Sequence, residues 1–491
     1  MPNTKVLGTL LGFLLFVLIL ICPTPEGLSP EGKRMAAVTV LMIVWWITEA
    51  IPIYITAFVP VVLFPLLGIL NSADTTVNYG HDYVLMLLGA FILAKGIEKQ
   101  HLHSRIALNV ILLLGTQKRK IILGFMLATA FLSMWITNMA VVLIMLPIAA
   151  AIINEEQTQN KSFGIALLLG VAYSASIGGT GTLIGTPPNL VFAGLFDQLY
   201  PEAPEIGFVD WMYIAIPLLI LFLPIIWLYI IYYFKIDKRD TIDDTLIKEQ
   251  VCALGKIDAG ERRMLYIFIG TALGWIFRKD IALGDWILSG WGSILGISEF
   301  THDSTVALFG AIVLFLIGDG KGSKLMDWKS ASKIPWGVAM FLGGGLALGA
   351  GFKTTGLALW LGERFTLLNG LPTFWMVAIV VAAIVFITEV NSNTATATIF
   401  LPILATMGMG TGINPLLIMV PATFACSFAF MLPSGTGTNT VIFASGKINI
   451  ADMARAGLWL NLLCIVLLPL LLYFVVLPLA GVTESLPVWA K

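Results

Sequence analysis

Residues 388–403 read Thr388-Glu389-Val390-Asn391-Ser392-Asn393-Thr394-Ala395-Thr396-Ala397-Thr398-Ile399-Phe400-Leu401-Pro402-Ile403, within a run that has no Lys, Arg or His from Val390 to Gly446. Asn and Pro interrupt a helix, and hydrocarbon cannot satisfy the backbone groups that the interruption frees. The break must therefore face protein or a polar cavity. A close copy lies upstream: Trp135-Ile136-Thr137-Asn138-Met139-Ala140 followed by Leu146-Pro147-Ile148, in the equally cation-free run Ile121–Ile153. At each break one piece of helix is expected to stop and a second to resume, with half-helix N-termini facing the midplane and free N–H groups open to an anion.

Two further pairs recur in the same order, at offsets of about 250 to 255 residues. Ile184-Gly185-Thr186-Pro187-Pro188-Asn189-Leu190 matches Ser434-Gly435-Thr436-Gly437-Thr438-Asn439-Thr440, and Leu88-Gly89-Ala90 through Glu98-Lys99 matches Leu342-Gly343-Gly344 through Phe352-Lys353. This last pair reads as hairpin-like. Duplication is the economical explanation, and an odd number of crossings per half would invert the second half relative to the first.

Composition sets the class. The chain is 58% hydrophobic and 12% charged, whereas soluble domains carry about a quarter charged residues. Val6–Cys22, Ser162–Phe196, Trp211–Phe234 and Ala456–Thr483 approach or exceed the roughly 20 apolar residues a spanning helix needs. The expected fold is an all-α polytopic membrane protein of two inverted repeats with re-entrant hairpins, broken transmembrane helices and about 11 spans. The first apolar run lacks a small-residue cleavage site and reads as the first helix rather than a signal peptide. The polar stretch Lys235–Arg263 divides residues 1–234 from 264–491 and reads as a cytoplasmic linker by the positive-inside rule, with the C-terminus outside. A formal net charge of −1 offers no basic surface for nucleic acid. Cys22, Cys252, Cys426 and Cys464 form no CxxC pair, so neither zinc nor disulfides are expected.

The polar groups at the breaks are amides and hydroxyls. Asn138, Asn393, Thr394 and backbone N–H groups would donate to a carboxylate, whose charge in a low-dielectric site needs compensation. Bound sodium would supply it, held by hydroxyls, Asn carbonyls and the carbonyls of unwound helices. Packing of small and polar residues is the plainer reading of one such motif; two repeated Asn motifs, each followed by a Gly-Thr-x-x-Asn loop, favour a site. Gly179-Thr180-Gly181 lacks the Rossmann spacing and the P-loop lysine. Glu389 and Glu49 admit either a structural or an ion role. No Ser-His-Asp, Cys-His or paired-carboxylate arrangement emerges, and enzyme activity has no support.

Ser392-Asn393-Thr394, the loop Gly185-Thr186-Pro187-Pro188-Asn189 and Ser427-Phe428-Ala429-Phe430-Met431-Leu432-Pro433 leading to Asn439 make the chain similar to the divalent-anion/sodium symporter family. The resemblance runs from about Trp45-Trp46-Ile47-Thr48-Glu49-Ala50-Ile51-Pro52 to beyond Asn439. It implies a multi-pass cell-membrane homodimer with a scaffold domain and a transport domain that moves like an elevator, carrying sodium and a divalent anion. It further implies one sodium site at Ser133, Thr137, Asn138 and Gly185, and a second at Thr388, Asn391, Asn393 and Gly435. Substrate carboxylates would meet Thr137-Asn138 and Ser392-Asn393-Thr394, assisted by Thr186-Pro187 and Thr436-Gly437. Two positions depart from the family pattern: Met139 replaces the last hydroxyl of the first tip, and Gly437-Thr438 stands where paired prolines are common. A C4-dicarboxylate such as succinate or malate is the first expectation for the cargo. The alternatives are citrate or sulfate, sodium-independent anion exchange on the same fold, and an anion channel.

Overall fold

The computed structural model describes residues 2–156, 161–241, 245–283, 286–368 and 370–490. It is almost entirely helical, and among the described residues the one sheet is the antiparallel pair Ile281–Leu283 and Trp286–Leu288. In chain order the helices used below are α1 (Pro2–Ile21), α2 (Pro30–Thr48), α3 (Asp82–Lys99), α4 (Lys118–Ser133), α5 (Asn138–Glu156), α6 (Lys161–Gly179), α7 (Pro187–Leu199) and α8 (Phe208–Tyr233). After the polar stretch, which holds a helix at Thr245–Ala253, come α9 (Ala259–Ile276), α10 (Asp303–Leu316), α11 (Trp336–Thr354), α12 (Thr373–Val390), α13 (Asn393–Thr411), α14 (Leu416–Cys426), α15 (Gly437–Ala444) and α16 (Ile450–Leu471). Among the described residues six helices are long and apolar enough to cross a membrane, and six shorter apolar helices accompany them.

The chain reverses direction at each Asn motif. Phe163 at the start of α6 lies beside Lys118, Gly170 beside Met126, and Gly178 against Ala130, so α6 runs parallel to α4. Gly164 meets Ile153 while Gly179 meets Asn138, so α5 runs antiparallel to both. Thus α4 and α5 form a re-entrant hairpin with its tip at 134–137. The second half repeats the pattern: Thr388 near the end of α12 reaches Cys426 at the end of α14, and Gly408 near the end of α13 packs on Pro415. The segments Leu88–Lys99 and Leu342–Lys353, expected to be hairpin-like, are instead parts of the continuous helices α3 and α11. Their glycines serve close packing: a Cβ on Gly89 would lie 2.7 Å from Ala307, and one on Gly344 would lie 2.4 Å from the Ala57 carbonyl oxygen.

Each hairpin is followed by a broken helix. Residues 180–186 separate α6 from α7, and residues 427–436 separate α14 from α15. The last long helices of the halves, α8 and α16, run in opposite directions: Tyr229 near the end of α8 bonds the Ala456 carbonyl, while residues 207–214 and 480–483 share one cavity wall. Polar residues 235–240 and the C-terminal segment 480–490 therefore sit at opposite ends of the bundle. At the latter end a buried ion cluster joins the halves. Arg278 Nε lies 2.6 Å from Asp303 and its Nη2 2.6 Å from Glu205, and Asp303 also accepts from the Phe208 N–H. Arg278 and Lys279 hold the Glu205 carboxyl below its ordinary range despite the burial that opposes this.

The hairpin–helix contact is tight enough to test. A Cβ on Gly178 would lie 2.3 Å from the Ala130 carbonyl oxygen, whereas Gly270 has open space. Gly178→Ala is expected to destabilise the purified protein by about 1–3 kcal/mol through overpacking. Thermal unfolding in detergent should show a lowered midpoint for it and a near-native one for Gly270→Ala.

Candidate functional site

Both hairpin tips are closed by the same three oxygens. Ser133 Oγ lies 2.6 Å from Asn138 Oδ1 and 2.8 Å from the Ala175 carbonyl. Thr388 Oγ1 lies 2.9 Å from Asn393 Oδ1 and 2.7 Å from the Cys426 carbonyl. A hydroxyl has one proton, so it cannot donate to both neighbours at once. Each bracket is an oxygen cluster with a proton deficit, of the kind a hard cation relieves. At the first bracket the Gly179 and Ser133 carbonyl oxygens both lie against Gly185, which has no Cβ to push them apart. At the second, Gly435 lies against the Glu389 carbonyl and carboxylate.

Because each Asn Oδ1 points to a hydroxyl, its Nδ2 points the other way, and neither Nδ2 has a partner among the described residues. Backbone donors lie beside them. The first N–H groups of a helix lack intrahelical partners, and Ser392 and Thr436, although good capping types, make no side-chain cap at α13 and α15; α7 opens on Pro187-Pro188, which have no N–H to offer. Elsewhere Ser29, Asn71, Asp258, Asp327 and Asn449 do cap their helices. The four half-helices pair across the repeats. Tyr200 at the end of α7 bonds the Ala405 carbonyl of α13, which places Pro187 about level with Asn393 at 1.5 Å rise per residue. Likewise Met139 of α5 touches Gly437 of α15, and Lys447 bonds Asn154 farther along the same pair.

Burial sorts the expected residues into two layers. Ser133, Thr388, Asn391, Gly185 and Gly435 are buried, whereas Thr137, Asn138, Pro187, Ser392, Asn393, Thr394, Thr436 and Gly437 are partly open; Thr186 is buried. Asn391 Nδ2 is buried without a partner among the described residues. Of the expected sodium ligands, Ser133, Gly185, Thr388, Asn391 and Gly435 are thus buried while Thr137, Asn138 and Asn393 are partly open, and of the expected anion contacts all but Thr186 are partly open.

Several residues hold this geometry without having been singled out by type. Asn189 Nδ2 donates to the Thr182 carbonyl at 2.7 Å and Asn439 Nδ2 to the Leu432 carbonyl at 3.0 Å, so each closes its own loop. The signal was their equivalent place in the two repeated loops. Glu389 resolves to a structural role in the second half. Its carboxylate accepts from the N–H groups of Phe430, Met431 and Leu432 at 2.6, 2.9 and 3.0 Å, and from Asn461 Nδ2 at 2.7 Å. Asn461, fully buried in α16, was visible in sequence only as a lone amide in an apolar run. The first half has no such acid: Met134 occupies the corresponding place, and its carbonyl accepts from Thr182 Oγ1 at 2.5 Å.

A family model described as the sodium:sulfate symporter transmembrane region matches residues 3–479. The chain belongs to this family. This symporter-family protein is therefore an integral membrane transporter and not an enzyme. It is 42% identical over 499 residues to the sodium-dependent dicarboxylate transporter SdcS of Staphylococcus saprophyticus, covering 98% of this chain and 94% of that one. Against SdcS of Staphylococcus aureus strain NCTC 8325 it is 42% identical over 501 residues, covering 99% and 94%. Among solved structures it superposes on MtrF of Neisseria gonorrhoeae with a TM-score of 0.58 at 13% identity, covering 98% and 97%. It superposes on the YdaH transporter of Alcanivorax borkumensis with a TM-score of 0.54 at 16% identity, covering 82% and 87%. At these identities the two likenesses speak for the fold alone.

The loop tie makes a prediction. Glu389→Ala would strand three backbone N–H groups and Asn461 Nδ2 in the core, each at about 1–3 kcal/mol. A thermal unfolding midpoint well below that of the native protein is expected. Glu389→Gln, which keeps two acceptor lone pairs, should fall between the two.

Proposed function

We propose that this protein is a sodium-coupled symporter of a C4-dicarboxylate such as succinate or malate. The observation that carries the reading is the layering of the tips. A proton-deficient oxygen bracket lies behind each Asn, and a free amide Nδ2 with uncapped helix N-termini lies in front. Two relatives bearing the name sodium-dependent dicarboxylate transporter, at 42% identity over nearly the whole chain, support the same cargo.

In this mechanism one sodium enters among Ser133, Thr137, Asn138 and the backbone at Gly185. A second enters among Thr388, Asn391, Asn393 and the backbone at Gly435. Each cation draws in hydroxyl, amide and carbonyl oxygens, which holds the Asn138 and Asn393 Nδ2 groups facing outward. One substrate carboxylate then meets Asn138 with Thr436-Gly437, and the other meets Ser392-Asn393-Thr394 with Thr186-Pro187. The two cations offset the dianion, so the loaded site crosses without a bare charge in a low-dielectric surround. The hairpins and broken helices move as a transport domain against a scaffold, in an elevator-type step within a homodimer of two inverted-repeat chains.

Succinate uptake into proteoliposomes is expected to require an inward sodium gradient; equal uptake in potassium alone would refute the coupling. Asn393→Ala should abolish uptake while leaving expression and monodispersity intact. Ser133→Ala and Thr388→Ala should each raise the half-saturating sodium concentration by about tenfold, as loss of roughly 1.4 kcal/mol of ligand energy requires. An unchanged sodium dependence in both would remove the brackets from the mechanism.

A further inference from the structure

The internal symmetry of the chain sets Met139 against Thr394, each the second residue of a hairpin's return helix, and Gly437 against Pro187, each the first residue of a broken helix's second piece. The helix pairing joins these positions crosswise. Thr394 and Pro187 belong to the α13–α7 pair, and Met139 and Gly437 to the α5–α15 pair. In the latter the two residues touch: a Cβ on Gly437 would lie 3.0 Å from Met139 Sδ and 3.4 Å from its Cβ and Cγ.

The backbone at 437 is already shaped for proline. It is the first position of its helix, where a missing N–H breaks no intrahelical bond. Thr436 before it is extended at φ −151° and ψ 151°, the conformation that precedes proline and one close to that of Thr186 before Pro187, at φ −145° and ψ 139°. The neighbour a side chain there would press on is the Met139 thioether, which would have to give by a few tenths of an ångström. The methionine at the tip and the glycine in the loop are therefore one coupled exchange, in which a side chain from the hairpin fills space released by the loop.

The exchange alters what the first half-site can recognise. Met139 is 50% exposed beside Asn138, and its thioether donates no hydrogen bond. At the matching place Thr394 presents a hydroxyl. The first half-site keeps the Asn138 amide and backbone donors for a carboxylate, but offers the neighbouring substrate carbon a polarizable apolar surface.

We infer that Met139 and Gly437 act together as the specificity-determining pair of the first half-site, biasing it toward dicarboxylates with an alkyl substituent next to one carboxylate over those with a hydroxyl there. This rests on the dicarboxylate symport proposed above. The test is sodium-driven succinate uptake in proteoliposomes by the wild type, Met139→Thr, Gly437→Pro and the double variant, each checked for monodispersity and thermal midpoint, with 2-methylsuccinate and malate as competitors. Gly437→Pro alone should lower uptake at least about tenfold and the double variant should recover most of it, the difference between a clash and its relief. Met139→Thr alone should shift the ratio of methylsuccinate to malate inhibition toward malate by about fivefold or more, near the lower bound for one methylene-sized contact. A folded double variant no better than Gly437→Pro overturns the coupling. Should both proline variants misfold, the Met139→Thr ratio decides, and an unmoved ratio overturns the inference. A wild type without sodium-driven succinate uptake would instead refute the underlying function, so the two failures are told apart.

Discussion

The hydroxyl bracket that ties Ser133 to Asn138 and Ala175, and Thr388 to Asn393 and Cys426, is what lets two hairpins turn inside an apolar bundle. A tip that stops there must place its last carbonyls and first N–H groups without help from lipid. The bracket anchors that tip on a carbonyl of the neighbouring helix. It fixes each Asn in one orientation, pins the tip to the end of the neighbouring helix, and gathers oxygens rather than donors in the buried layer. The donor side is left open at two helix starts, where Ser392 and Thr436 do not cap. Open donors in front of the tips and oxygens behind them are the arrangement that the proposed anion and cations would complete.

The two halves meet this constraint with different chemistry. The first loop contains Pro187-Pro188, which restrict its backbone, and it is closed by neutral bonds from Thr182 and Asn189. The second has Gly437 and Thr438 in the equivalent places and would be looser on that account. There Glu389 compensates, holding three successive N–H groups while Asn461 holds Glu389. Charge-assisted bonds to a carboxylate are about twice as strong as neutral ones. Stiffness carried by proline in one repeat is thus carried by a buried acid in the other, which leaves the loop residue at 437 free to be glycine and to receive Met139.

This division explains what could be read from sequence. The repeated Asn tips and Gly-Thr-x-x-Asn loops marked the candidate site because side-chain identity carries the chemistry proposed for them. The direction of the chain after each tip did not show, since a broken straight helix and a hairpin share one hydrophobic pattern. The choice is made by packing such as Gly178 on Ala130. The same gap misplaced the hairpins at Leu88–Lys99 and Leu342–Lys353, where glycines admit a neighbouring backbone rather than end a helix. Ala175 and Cys426 contribute carbonyls, and a carbonyl looks alike in every residue. The role of Glu389 was legible only as an unexplained acid in an apolar run.

The layering also bears on the order of events. The oxygens lie behind the Asn side chains and the donors in front, so whatever fills the bracket sets the aim of the Nδ2 groups, and whatever engages the Nδ2 groups covers the bracket. Two ligands placed back to back on one amide must influence each other equally, because linkage is reciprocal. Cation and anion of opposite charge then each lower the cost of burying the other. The membrane potential acts on what remains uncompensated, at about 2.3 kcal/mol per charge per 100 mV. A dianion with one cation would feel that force in one direction and a dianion with three in the other, whereas one cation at each of two brackets leaves the crossing free of it.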